Sequence, residues 1–278
     1  MPPKTTLAKT LTFSGPGIHS GRTAHLSLAP SQAGDIVFRR LDLGGAEVRL
    51  DPRTAATANA SNLVSGSTRV ETVEHLLAAL AGRGVDSVLV ELDGGEVPIL
   101  DGSAAPFAQA IADAGLVALA EPRRTIVLVK PFALEERDAA LEASPSAAFS
   151  VVYTISFDHP AIGTQTLEVR PDPDVFLREI APARTFGFLR DLPDLRRRGL
   201  ARGGSFANAL VLDETSVLNG PLRFPDEFVR HKVLDLLGDL FLLGVPVRGR
   251  FQARRAGHGL HLRAVRYILD HPDLWVWE

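Results

Sequence analysis

Residues 226–243 read D-E-F-V-R-H-K-V-L-D-L-L-G-D-L-F-L-L. Phe228, Val229, Val233, Leu236, Leu237 and Leu240 recur at helical spacing, so the segment is expected to form an amphipathic helix with one apolar face. His231, Asp235 and Asp239 fall at i, i+4 and i+8, which stacks an imidazole and two carboxylates along one stripe. A His and an Asp one turn apart can offer two ligands to a single metal. Taken alone, the same stripe also fits an exposed His beside solvated carboxylates.

Around this helix the chain has 278 residues, enough for one large or two ordinary domains with a substantial core. Hydrophobic content of 45% and charged content of 23% suit a soluble globular protein. The formal net charge of -3 argues against a nucleic-acid partner, which calls for a basic domain. Cysteine is absent, so there is no disulfide, thiol nucleophile or Cys-ligated zinc, and any metal must be held by His and carboxylate. The opening M-P-P-K-T-T-L-A-K-T lacks the apolar core of a signal peptide, and no apolar run approaches the ~20 residues of a membrane span. A cytoplasmic protein is expected. Only four of the 30 basic residues are Lys, which makes Lys232, next to His231, conspicuous.

Working outward, two halves follow one outline. In the first, strands are expected at 11–13, 24–28, 36–38 and 48–50, with a glycine-rich turn S-G-P-G-I-H-S-G at 14–21 and a loop over 51–67. A helix capped by Thr68 or Thr72 follows, with Val73, Leu76, Leu77 and Leu80 inward. A strand at 88–92 and a second helix over 104–114, capped by Ser103, complete the half. Residues 121–124 read as a linker. In the second half, strands at 126–129, 139–142 and 149–157 precede the His231 helix, which ends at Gly244. A strand over 245–253, a turn at 256–259 and a helix over 262–269 close it. The fold class is therefore α+β, as a duplicated unit of a sheet with two helices on one face. If the helical layers of the two halves meet, His75 and His231 approach each other.

His75 follows Glu74 in T-V-E-H-L. Neighbours on a helix point ~100° apart, so His75 can ligate a metal while Glu74 faces the metal's open position as a general base. An ordinary surface Glu-His pair is the alternative. His258, in A-G-H-G-L, sits between two glycines and also reads as a loop residue; Asp239 is the natural group to hold that imidazole protonated and oriented.

Seven stretches in order then carry a resemblance: G-I-H-S-G from Gly17, T-V-E-H-L-L-A-A-L from Thr72, P-I-L-D-G-S-A-A-P-F from Pro98, A-R-T-F-G-F from Ala183, G-G-S-F from Gly203, E-F-V-R-H-K-V-L-D from Glu227 and G-D-L from Gly238. Across about 5–268 the chain resembles the UDP-3-O-acyl-N-acetylglucosamine deacetylases, zinc amidases of lipid A biosynthesis. The resemblance implies two β-α-α-β domains, 1–122 and 123–278, enclosing the active site between their helices, with an acyl-chain-binding insert at about 187–206. It implies one Zn2+ per chain, for which Fe2+ can substitute, held by His75, His231 and Asp235. Glu74 corresponds to the general base, His258 to the catalytic His with Asp239 as its partner, Thr185 to a hydroxyl beside the metal, and Lys232 to a nearby positive charge. Ile18, His19, Phe186, Leu189, Leu192 and Leu195 match positions around the acyl chain and active site, Phe157 an aromatic near the uridine, and Arg255 a diphosphate contact. By spacing alone, the three leucines are equally core residues. The substrate so implied is a UDP-sugar bearing an acyl chain. A zinc amidase for another N-acetylated sugar, and an inactive binding protein on the same fold, are the competing readings. The chain departs from the family pattern at R-A-G-H (255–258), at Leu260-His261, at Ala207 and in the loop 57–63.

Overall fold

A computed structural model describes residues 1–57 and 60–278. Its first sheet is built from β1 (Leu11–Pro16), β2 (Thr23–Pro30), β3 (Ile36–Arg40), β4 (Ala46–Arg49) and β5 (Val88–Leu92), with helix α1 (Glu74–Arg83) before β5 and α2 (Ala105–Ala114) after it. Alternation explains the strands: in β2, Ala24, Leu26 and Leu28 point inward and Thr23 and His25 outward. The spatial order is β1-β2-β5-β3-β4, antiparallel except where β3 runs parallel to β5.

The second sheet comprises β6 (Phe132–Glu136), β7 (Ala139–Ser144), β8 (Ser150–Ser156), β9 (Thr164–Val169) and β10 (Arg250–Arg254). Helix α3 (Glu227–Leu240) precedes β10 and α4 (His258–Asp270) follows it. The order is β6-β7-β10-β8-β9, with β8 parallel to β10 and every other pair antiparallel. Strand order, direction and helix placement thus repeat between the halves, the pattern expected of an α+β duplication.

Helices α1 and α3 pack directly on each other, with α2 beside α1 and α4 beside α3. Their crossing depends on Gly238, because a Cβ there would collide with the backbone of Glu74. Where no side chain separates two helices, the residues flanking the contact are brought into reach of one another.

Several local expectations are corrected. About half of the loop expected over 51–67 is strand: Ala55–Thr57 and Ser61–Ser65 join the following Thr68–Val70 in a three-stranded sheet, while 58 and 59 lie outside the described residues. Strands this short carry too few residues for alternation to register. Neither Thr68 nor Thr72 caps α1; Val73 is the cap, and Thr72, at φ 58°, donates its hydroxyl to Glu96 instead. The linker at 121–124 begins inside a strand, Leu116–Pro122, that pairs with Pro3–Leu7. The strand expected over 245–253 is two, Val247–Arg248 and β10, in different sheets. They break at Gly249, where a Cβ would press on Leu128 and on the Ser144 carbonyl. Helix α4 begins at His258, four residues before the expected start, so His258 lies in its first turn and not in a preceding loop. No described helix is long and apolar enough to cross a membrane.

Candidate metal centre and cavity

Helix α3 carries His231 and Asp235 one turn apart, and α1 brings His75 against them. The His231 Nε2 and His75 Nε2 atoms lie 3.3 and 3.8 Å from Asp235 Oδ1, and the two imidazoles meet edge to face at 5.0 Å. One ligand atom from each residue falls within 4.8 Å of the others, and all three side chains are buried. His231 donates Nδ1–H to the Ala183 carbonyl at 3.1 Å, which leaves Nε2 bare and turned toward Asp235. Burial, reinforced by His231, pushes the His75 pKa down to about 3. Burial likewise lowers that of His231, although Asp235 opposes it. Burial would raise Asp235, but His231 and Lys232 outweigh it and hold the carboxyl well below its usual range. Two neutral imidazoles and one carboxylate, with no hydrogen bond among their facing atoms, form a donor set that fits a borderline divalent cation.

Glu74 lies beside this cluster. Its Oε2 accepts from the Ser61 backbone N–H at 3.0 Å, and its Oε1 is 3.9 Å from His258 Nε2. Burial raises its pKa to about 7, against the pull of the His258 charge. His258 sits on the far side, with Nδ1 2.7 Å from Asp239 Oδ2. Burial opposes its charge, but Asp239, Asp235 and Glu74 outweigh burial and lift its pKa to about 9. Asp239 is fully buried and lies behind His258, away from the cavity. Lys232 bonds to Asp235 Oδ2; burial lowers its pKa, Asp235 more than restores it, and the ammonium stays charged.

These groups open onto a cavity of about 700 Å³. Its walls include Thr185, Lys232 and His258 together with Ile18, His19, Phe157, Phe186, Leu189, Leu192 and Leu195. Thr185 is held by its own N–H to the Gly102 carbonyl (2.7 Å), and Phe186–Phe188 forms a short parallel ladder with Leu210–Leu212. Before them, Arg184 is clamped to the buried Glu227 through Nε at 2.8 Å. Phe186 stacks edge-on to Phe157 at 5.6 Å and lies 6.2 Å from the His231 ring, so the aromatic wall begins at the metal cluster. Residues 187–206 contain the short helix Leu192–Arg197, and Arg202 and Gly203 donate to the His19 and Ile18 carbonyls, tying this segment to the G-I-H-S-G turn. Arg255 is not part of the wall; it is exposed and paired with Asp138 at 2.8 Å.

Several contributors escaped the sequence reading. Glu96 is buried and accepts from the His19 and Ser20 N–H groups and the Thr72 hydroxyl, joining the G-I-H-S-G turn to the start of α1. No pattern in its neighbourhood marks it. Ser61 joins Glu74 to Asp239, but sits where a loop was expected. His261 lies three residues after His258, and this helical spacing could have placed it on the same face.

Residues 4–270 match the family model described as LpxC, UDP-3-O-acyl N-acetylglycosamine deacetylase. Among curated relatives, the UDP-3-O-acyl-N-acetylglucosamine deacetylase of Oleidesulfovibrio alaskensis is 45% identical over 98% of this chain and 91% of its own length. Those of Myxococcus xanthus and Pseudomonas entomophila are 46% and 43% identical over 97% of this chain, covering 87% and 91% of their own lengths. With a buried His-His-Asp cluster, an adjoining carboxylate and a largely apolar cavity already in place, this similarity along nearly the whole length shows that the chain belongs to the UDP-3-O-acyl N-acetylglycosamine deacetylase family.

Proposed function

We propose that this chain hydrolyses the N-acetyl group of UDP-3-O-(3-hydroxyacyl)-N-acetylglucosamine, releasing acetate and the free amine at an early committed step of lipid A biosynthesis. The observation that carries this reading is the convergence of Glu74, His75, His231, Asp235 and His258 at a cavity whose remaining walls are largely apolar. In this reading, His75, His231 and Asp235 would hold one Zn2+, which when bound supplies a Lewis acid that polarises an amide carbonyl and makes water more acidic. The two halves, 1–122 and 123–278, would each provide part of the site, and the reaction would take place in the cytoplasm.

The chain's own groups divide the proton work. Glu74, anchored at Oε2 by the Ser61 N–H, has Oε1 free to take a proton from the attacking water. His258 keeps its proton on Nε2 at neutral pH, because Asp239 accepts from Nδ1, and can pass it to the departing amine, which leaves poorly unless protonated. Thr185 offers a hydroxyl and Lys232 a fixed positive charge where negative charge develops on the carbonyl oxygen. Ile18, His19, Phe186, Leu189, Leu192 and Leu195 would line the path of the acyl chain and exclude water, with Phe157 toward the nucleotide end. Arg255 would meet the diphosphate only by leaving Asp138.

The decisive assay is deacetylation of the UDP-linked acylated N-acetylglucosamine with and without a chelator. Chelator-sensitive release of acetate supports the reading. Equal rates on an N-acetyl sugar lacking the acyl chain would show that the apolar wall is not used in recognition.

A further inference from the structure

Asp239 serves two histidines. Its Oδ2 lies 2.7 Å from His258 Nδ1 and 2.8 Å from His261 Nδ1, while its Oδ1 accepts from the Ser61 hydroxyl. His261 is fully buried and absent from the cavity wall, and it is not one of the residues gathered at His75, His231 and Asp235. Its Nε2 is 3.0 Å from the Tyr153 hydroxyl, whose oxygen lies 2.8 Å from the Ala256 carbonyl. A carbonyl oxygen can only accept, so the single phenol hydrogen points to Ala256. The phenol oxygen is left to accept, and His261 Nε2 must therefore carry a hydrogen. Nδ1 of the same ring faces a carboxylate oxygen at hydrogen-bonding distance, and two bare lone pairs do not sit this close in a buried site. A hydrogen must lie on that line as well. Together, Asp239 and His261 hold one proton more than a carboxylate and a neutral imidazole would.

Burial lowers the His261 pKa, His258 and Lys232 add to that push, and Asp239 opposes it without outweighing it. Sharing the extra proton leaves the pair with no net charge, the form a buried pair favours. The groups facing it are Ser61 from the strand Ser61–Ser65, Tyr153 from β8 and His258 from α4.

We infer that His261 is a positioning residue: pinned by Tyr153 on one side and by a shared proton on the other, it fixes the Asp239 carboxylate that orients His258. Its catalytic consequence rests on the deacetylase reading; the placement of the hydrogens does not.

Two measurements on the metal-loaded full chain test this. In 15N-histidine-labelled protein at neutral pH, the His261 Nε2 resonance is expected in the protonated range. Tyr153→Phe, which removes the acceptor, should convert His261 to the neutral ring protonated only on Nδ1. Kinetically, His261→Phe is expected to lower kcat by about tenfold or more with KM and metal content little changed. His261→Gln, which keeps a donor for Asp239, should recover part of the loss. A wild-type spectrum with a bare Nε2 overturns the inference whatever the turnover. So does an unchanged kcat in folded His261→Phe protein. An inactive wild-type enzyme with Nε2 protonated would count against the deacetylase reading and leave the hydrogen placement standing.

Discussion

Glu74 and His258 face each other at 3.9 Å with their pKa values pushed to about 7 and about 9, which suits one to accept a proton and the other to give one near neutral pH. The expected kcat/KM profile is a bell. It rises as Glu74 loses its proton, at or below about 7 because a bound cation favours the carboxylate, and it falls as His258 deprotonates near about 9. A profile for His258→Gln that keeps the same alkaline fall would remove His258 from that limb. Glu74→Ala should retain its metal while losing about two to four orders of magnitude in turnover, checked by metal analysis alongside kinetics. Of these residues, the spacing of His231 and Asp235 placed both on one stripe, and they lie 3.3 Å apart. Asp239 falls on that stripe too, but its partners Ser61, His258 and His261 come from two other elements, the strand Ser61–Ser65 and α4, which no local spacing encodes.

At the scale of elements, the site depends on how closely α1 and α3 approach. Gly238 makes that approach possible, so Gly238→Ala is expected to cost about 1–3 kcal/mol through overpacking and to lower activity by displacing Glu74. A crystal structure or metal titration of the variant showing an unshifted site would contradict this. The start of α3 is secured differently: Glu227, wholly buried, accepts from Arg184 through Nε and Nη2 and from the Arg184 and Arg223 backbone N–H groups. Burial raises its pKa, but these donors outweigh burial and hold it below the ordinary value. Arg184→Ala leaves that carboxylate buried without its counter-ion and should destabilise the fold by about 3 kcal/mol, read as a lower Tm. Helix faces and long strands were legible because their periodicity runs over many residues. The three-stranded sheet within 55–70 was not, because its strands have three to five residues. The early start of α4 was missed because Gly257 and Gly259 around His258 read as a turn.

Across the whole molecule, two sheets of identical strand order each carry two helices, and the helices of one half meet those of the other around His75, His231 and Asp235. A cation held by both halves would stabilise the folded chain by mass action, by about 2.7 kcal/mol at a free-metal concentration of 100 Kd. Removing it with a chelator should therefore lower Tm as well as activity, and an unchanged Tm would place any bound metal elsewhere. The duplication could be read from the order of elements, whereas the sliding of β10 between β7 and β8 could not, since register across a sheet is set by partners distant in sequence. The most direct test of the central claim is metal content per chain in the wild type and in His75→Ala, His231→Ala and Asp235→Ala, each purified folded. The account predicts about one zinc in the wild type and a marked loss in all three variants, because one cation draws its ligands from both halves. Full metal occupancy in any one of them would contradict it.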